Sequence, residues 1–135
     1  MIIMKNLIAI LLLQFISINL FSQSLSVTWS TQIGSPGWDV VTSITELTDG
    51  NIAIAGTYYD SIAIAGTKYY SKGSRDCFLG IINPQGEFIK TTSLGGEGYE
   101  YIRNLIPAEN GRMTAVIQYN DKMQAGGQSF TKKDQ

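Results

Sequence analysis

The 135-residue sequence contains no histidine and only one cysteine, Cys77. Without histidine the chain has no Ser-His-Asp or Cys-His nucleophile pair and no zinc site that uses imidazole. With one cysteine it has no internal disulfide. Cys77 lies in the apolar run DCFLGII, which favours a buried thiol over a reactive one. These absences exclude several common classes of active site.

An excess of either charge is also lacking, since 10 Lys and Arg stand against 11 Asp and Glu. A strongly basic balance is typical of proteins that bind nucleic acid or an anionic membrane, and this chain does not have one. We therefore expect neither nucleic acid nor a membrane surface as its main partner.

The N-terminal segment is the one long apolar run. Lys5 precedes LIAILLLQFISINLF, and the polar residues SQS follow at 22–24. The run is interrupted by Gln14 and Asn19 and is shorter than the roughly 20 residues that a membrane-spanning helix needs. This pattern predicts a signal peptide over residues 1–24, cleaved after Ser22 or Ser24, rather than a membrane anchor. The mature chain is then exported, with no stable membrane span.

The rest of the chain repeats itself once. The segment from Ile33 aligns without a gap on the segment from Leu94, an offset of 61 residues. Glycines and aromatic residues recur at this offset, which indicates shared turns and shared packing. The matched pairs are Gly34/Gly95, Gly37/Gly98, Trp38/Tyr99, Asp39/Glu100, Gly50/Gly111, Tyr58/Tyr119, Asp60/Asp121 and Gly66/Gly127. We predict a first unit at residues 25–93 and an incomplete second unit at 94–135.

Strand signals dominate each unit, and helical periodicity is absent. DVVTSITEL is rich in β-branched residues and leads into the turn TDGN, whereas NPQG at 83–86 predicts another turn. The echo IAIAGT at 52–57 and 62–67 predicts the two arms of a hairpin that turns at Tyr59, Asp60 and Ser61. The fold class is therefore all-β, and stacked Gly-rich strand units are typical of β-propeller blades.

The spaced turns resemble the SBBP-type β-propeller repeats of exported Bacteroidota proteins, over residues from about 29 to 135. The matching positions are Gly34, Gly37, Asp39, Asp49, Gly50, Asn51, Gly56, Asp76, Phe78 and Gly86. The second unit departs from the pattern with Glu100, Asn110, Arg112 and Ile117. The resemblance implies a longer propeller protein, often a cargo of type IX secretion, of which this chain is an N-terminal fragment. A complete short protein that self-associates is the alternative.

Residues for catalysis are not indicated by any spacing. The carboxylates lie mostly in or beside predicted turns, and no pair stands out as a general acid and base. Asp39 and Glu100 lie in turns that partly match calcium-binding β-roll motifs, but these turns are not in tandem, so we predict that the carboxylates cap backbone amides, with an isolated calcium ion at either residue as the alternative. We predict no catalytic residue, no metal and no cofactor.

Aromatic side chains are the stronger functional signal. Trp38, Tyr59 and Tyr70 lie near predicted turns, where exposed rings stack on sugars or on a partner surface. The recurrence of Trp38/Tyr99 and Tyr58/Tyr119 at the repeat offset favours packing between units instead. The basic residues, Lys68, Lys72, Arg75, Lys132 and Lys133, form no continuous stripe and are interpreted as solvated charges on strand edges.

These observations predict a non-catalytic, exported repeat protein that acts as a structural or binding scaffold, secreted or at the cell surface. Its partners are then further repeats of a longer chain or other copies of itself. The alternative is an adhesion module that binds a glycan or a surface protein through Trp38, Tyr59 or Tyr70. A hydrolase fragment is the weakest hypothesis.

Overall fold

The computed structural model describes residues 26–133, so the predicted signal peptide lies outside the described residues. Within that range the chain forms strands and no helix, which confirms the all-β prediction. The strands are β1 (Ile33–Gly34), β2 (Asp39–Glu46), β3 (Ile52–Ile64), β4 (Thr67–Ile82), β5 (Phe88–Gly96), β6 (Glu100–Pro107), β7 (Met113–Tyr119), β8 (Lys122–Ala125) and β9 (Gln128–Thr131). Residues 26–133 contain no helix that is long and apolar enough to span a membrane.

Strands β2 to β5 form an antiparallel meander in which each strand pairs with the next. The predicted TDGN turn joins β2 to β3, where the amide of Gly50 donates to the carbonyl of Leu47 at 3.0 Å. The predicted NPQG turn joins β4 to β5, and the side chain of Asn83 accepts the amides of Gln85 and Glu87. Turn residues that bond their own backbone therefore set both reversals.

The predicted hairpin around Tyr59, Asp60 and Ser61 is wrong. Residues 52–64 form one strand, and the chain reverses at Ala65 and Gly66, where Ile64 pairs with Thr67. A two-residue hairpin turn of type I′ needs positive φ at both central positions, and Ala65 and Gly66 have φ of 49° and 77°. Asp60, with φ of 58°, lies at an irregularity in the pairing of β3 with β4, where it stands opposite residues 71–74 and the strand continues without reversing.

The 61-residue repeat is present in the backbone. Strand β6 begins and ends 61 residues after β2 begins and ends. Strand β7 begins 61 residues after the start of β3. The pairing of β2 with β3 shifts register between Val41 and Ser43, and that of β6 with β7 shifts between Ile102 and Asn104, at the corresponding positions. The second reversal also corresponds, since Gly126 and Gly127 occupy the places of Ala65 and Gly66.

The first core cluster lies inside the first unit. The irregularity at Asp60 divides the long hairpin of β3 and β4, and Tyr58, Ile62, Ile64 and Phe78 form a fully buried cluster. Tyr58 and Tyr69 each bond β5 from this face, with 2.6 Å between the hydroxyl of Tyr58 and Ser93 Oγ. The long hairpin thus closes one face of its own sheet.

The second core cluster joins the two units. Ala53 and Ala55 on β3 belong to the same buried cluster as Ile102 and Leu105 on β6. Met113, Ala115 and Ile117 of β7 pack against this cluster. Because these three correspond to Ile52, Ile54 and Gly56, on the other side of their strand from Ala53 and Ala55, the units meet through different faces. Cys77 is buried here as a free thiol, as predicted.

The antiparallel sheets do not close into a ring among residues 26–133. Strands β6 and β7 form a separate two-stranded sheet against the meander. Ser43 and Asn104, which correspond in the repeat, lie at the contact, where the amide of Leu105 donates to Ser43 Oγ at 3.1 Å. The amide of Gly111 likewise donates to Thr48 Oγ1 at 3.2 Å, beside the corresponding turn of the first unit.

Candidate ligand-binding site

The three aromatic residues singled out in the sequence occupy two places. Trp38 and Tyr59 are neighbours across β2 and β3, because the amide of Tyr59 donates to the carbonyl of Trp38 at 3.2 Å. Trp38 is 78% exposed and Tyr59 is 37% exposed. Tyr70 lies opposite Ser61, with Lys68 Nζ 4.9 Å from its ring centre. The structure brings Trp38 and Tyr59 together. It places Tyr70 on the other side of Asp60, between Asp60 and the reversal at Ala65 and Gly66.

An arginine links Tyr59 to the second unit. The guanidinium of Arg75 on β4 lies 5.0 Å from the ring centre of Tyr59, its cross-strand partner. It also lies 5.8 Å from the ring of Tyr99 and 5.5 Å from that of Tyr101. These distances are in the range of cation–π attraction. We call Arg75 with Tyr59, Tyr99 and Tyr101 the Arg75 cluster.

Backbone bonds fix the Arg75 cluster at the junction of the units. Arg75 and Tyr99 form an isolated parallel bridge, and the amide of Ser74 donates to the carbonyl of Gly98 at 2.9 Å. The amide of Tyr99 donates to Asn120 Oδ1 at 2.7 Å. Both strand β4 and the turn before β6 are therefore held in place, and the rings are positioned by main-chain geometry.

A second guanidinium lies against Tyr101. The side chain of Arg103 is 4.4 Å from that ring, and its Nε and Nη2 donate to Gln118 Oε1 at 3.1 and 2.6 Å. Arg75 differs, because its Nε is buried and has no hydrogen-bond partner. The interpretation of Arg75 as a solvated edge charge is therefore wrong, since its side chain is half-buried among rings.

Two buried carboxyl groups lie next to the junction in sequence: Asp76 follows Arg75 on β4, and Glu100 follows Tyr99 at the start of β6. The amide of Lys72 donates to Asp76 Oδ2 at 3.2 Å, and that of Gly96 donates to Glu100 Oε2 at 3.1 Å. Each carboxyl keeps its other oxygen, Oδ1 or Oε1, without a partner. Burial raises the pKa of both groups, and the charge of Asp76 raises the pKa of Glu100 further.

Asp39 has the same local role in the first unit, where its Oδ2 accepts the amide of Ser35 at 2.6 Å. The carboxylates at Asp39 and Glu100 thus bind backbone amides four residues earlier, as the sequence suggested. No group of three or more His, Cys, Asp or Glu side chains that could hold a metal ion occurs among residues 26–133.

The buried groups are poorly placed for chemistry. A cleft of about 240 Å³ near the junction is lined by Lys72, Gly96, Glu97, Lys122 and Gln124, and neither Asp76 nor Glu100 is part of its wall. Burial, with the charge of Glu100, raises the pKa of the Cys77 thiol to about 12, so the thiolate that a nucleophile requires is disfavoured. The open surface of the junction, with its rings and guanidinium groups, is suited to binding.

The sequence did not reveal the Arg75 cluster. Its members come from three separate strands and the turn before β6, and they meet because Tyr59 pairs with Arg75 across β3 and β4 and Arg75 forms a bridge to Tyr99. The recurrence of Trp38 at Tyr99 pointed to the two equivalent turns but not to the arginine between them. Comparison with known proteins gives no match: no family model fits the chain, and no curated protein or solved structure matches it.

Proposed function

We propose that this chain is a non-catalytic repeat scaffold of the SBBP propeller type, exported to the cell surface or beyond. One observation carries the proposal: two units whose strands β2 and β6 have corresponding bounds and the same register shift pack on each other through different faces. Units of this kind bury apolar surface by stacking, and each contacts its neighbours alone. The scaffold is then completed by further repeats, from a longer chain or from other copies.

The free edge of β7 supports this proposal. In the first unit, β3 pairs with β2 on one edge and with β4 on the other. In the second unit, β7 pairs with β6, and no other strand of residues 26–133 pairs with it. Unpaired strand edges readily accept a further strand. A strand corresponding to Arg75–Ile82 is the partner that the first unit indicates.

The side chains refine this expectation. In the first unit the ring of Phe78 covers Gly56, and a Cβ at Gly56 would overlap both that ring and the carbonyl of Val40. The corresponding residue of β7 is Ile117, whose side chain takes room that Gly56 leaves free for Phe78 and packs against the second core cluster. A strand that pairs with β7 should therefore carry a small residue where β4 carries Phe78.

The test uses two synthetic peptides of residues 75–94, both with Cys77→Ser and one also with Phe78→Ala. We expect the Phe78→Ala peptide to bind the full chain more tightly, and to slow hydrogen exchange at the amides of β7. The peptide with Phe78 is the matched control. If neither peptide slows hydrogen exchange at the amides of β7, the scaffold proposal is contradicted.

Export is tested separately, by producing the full chain in a bacterial host and determining the N-terminus of the extracytoplasmic product by mass spectrometry. Cleavage after Ser22 or Ser24 is the expected result. An intact N-terminus on a chain that stays in the cytoplasm contradicts it.

A binding role in adhesion is the second candidate, favoured by the neighbouring rings of Trp38 and Tyr59 and by the Arg75 cluster beside them. Trp38, Tyr59 and Tyr99 are partly open to solvent, and Tyr59 and Tyr99 lie against the Arg75 guanidinium. This surface fits a ligand that contacts the faces of the aromatic rings and also carries a negative charge, which the Arg75 guanidinium can bind.

A further inference from the structure

We infer that the Arg75 cluster, with Trp38 beside it, binds an acidic polysaccharide, a polymer of sugar rings that carry carboxylates. This inference rests on the binding role proposed as the second candidate and is independent of the scaffold proposal. The polysaccharide experiment tests the junction between the units, and the peptide experiment tests the edge of β7. Either proposal can therefore fail while the other holds.

The charge of Arg75 carries the first step of the argument. Its guanidinium is among three tyrosine rings, and no carboxylate of residues 26–133 forms an ion pair with it. Its Nε is buried, so an anion would bind through the terminal Nη groups of the side chain. A guanidinium presents five N–H donors in a planar fork that matches a carboxylate. The cluster therefore offers an anion a positive group that the protein itself does not neutralise.

The open rings carry the second step. Trp38 is largely exposed, and Tyr59 and Tyr99 each keep more than a third of their surface exposed. Aromatic faces take up apolar C–H surface, and the polar tips of Tyr and Trp remain free to hydrogen-bond. A pyranose ring has such C–H faces, and a uronic acid carries a carboxylate on the same rigid ring.

The arrangement across the junction favours a polymer. Trp38 and Tyr59 come from the first unit, whereas Tyr99 and Tyr101 come from the second, with Arg75 between them. Arg103, held by Gln118 against Tyr101, adds a second positive group on the same side. Successive sugars of one chain then have successive rings to contact. An acidic peptide supplies the carboxylates without a rigid apolar face, so it uses only half of the site.

The test is calorimetric titration of the full chain with trigalacturonic acid at low salt. Binding is expected, and it should weaken as salt is added because exposed charges are screened. Galactotriose, which lacks the carboxylates, should bind at least about tenfold more weakly, the effect of losing one hydrogen-bonded charge. Hexaglutamate should also bind more weakly than trigalacturonic acid.

Variants locate the site. Arg75→Gln should weaken binding of trigalacturonic acid about tenfold, whereas Arg112→Gln, the same change at an exposed residue of the β6–β7 turn, should leave it unchanged. Trp38→Ala should weaken binding about threefold without affecting the fold, since the indole is largely exposed. It keeps the inference testable should Arg75→Gln not fold.

Three results overturn the inference. The first is no binding of trigalacturonic acid by the wild-type chain. The second is equal binding of hexaglutamate, which assigns the surface to acidic peptides instead. The third is unchanged affinity in Trp38→Ala, accompanied by unchanged affinity in Arg75→Gln if that variant folds.

Discussion

The two units share a backbone plan but bury different surfaces. Their bulges, hairpin turns and the carboxylates that bind turn amides correspond at the 61-residue offset. Their packing does not: Gly56 is covered by Phe78, whereas Ile117 at the same place packs against the core cluster shared by the two units. The comparison teaches that turns and bulges determine where strands run, while the neighbouring sheet determines which side chains are acceptable.

The largest effect is expected from Gly56→Ala. A Cβ there would overlap the carbonyl of Val40 and the ring of Phe78, and overpacking of this kind costs about 3 kcal/mol in the free energy of unfolding. Gly37→Ala is the control, because the nearest atom to its Cβ would be 3.4 Å away. Chemical denaturation measures both. Equal stability of Gly56→Ala and the wild type would break the contrast with Ile117.

Glu100→Gln tests how this buried carboxyl of the second unit makes the free energy of unfolding depend on pH. Burial raises the pKa of Glu100, so the folded state keeps its proton to higher pH than the unfolded chain does. The stability that this provides is present below the ordinary pKa of 4.5 and is lost as pH rises through the folded-state pKa. The loss is at most about 1.4 kcal/mol per pH unit for one proton.

Urea midpoints at about pH 4 and about pH 8 test this dependence across the ionisation range. Glu100→Gln, which keeps an oxygen for the amide of Gly96, should lose less stability than the wild type between the two values. Glu109→Gln, an exposed residue of the β6–β7 turn, should behave as the wild type does. The same pH dependence in all three proteins would contradict the prediction.

Tyr58→Phe removes a buried hydroxyl that lies 2.6 Å from Ser93 Oγ. We expect a loss of about 1 kcal/mol, a typical cost of a buried hydrogen bond. Tyr119→Phe, at the corresponding place in the less buried second unit, should cost less than about 0.5 kcal/mol. Thermal or urea unfolding of the two variants gives the comparison, and equal losses would count against it.

The smallest effect, and a favourable one, is expected from Ala65→Gly. Ala65 has φ of 49° at the place where the second unit has Gly126 with φ of 57°. Relief of a left-handed alanine should stabilise the fold by up to about 1 kcal/mol, less the added flexibility of the unfolded chain. Gly126→Ala should be destabilising by a similar amount. A destabilised Ala65→Gly protein in urea denaturation would refute this account.

The repeat offset, the strand character and the two turns at Asp49–Gly50 and Pro84–Gly86 could be predicted because each is encoded within a few adjacent residues. The reversal at Ala65–Gly66 was missed because the alternation of buried residues continues in phase past Asp60, from Tyr58 to Ile62 and Ile64, and does not mark where the chain turns. The Arg75 cluster depends on the register of β3 against β4. Local sequence does not specify such a register.

The contact between the units joins unlike surfaces, and this gives the molecule a direction. Two copies related by a two-fold axis would have to present the same patch to each other, which this contact does not do. Each added unit would bury one patch and expose the next. The rotation between neighbours then decides whether the series returns to its start as a ring or continues as an open spiral.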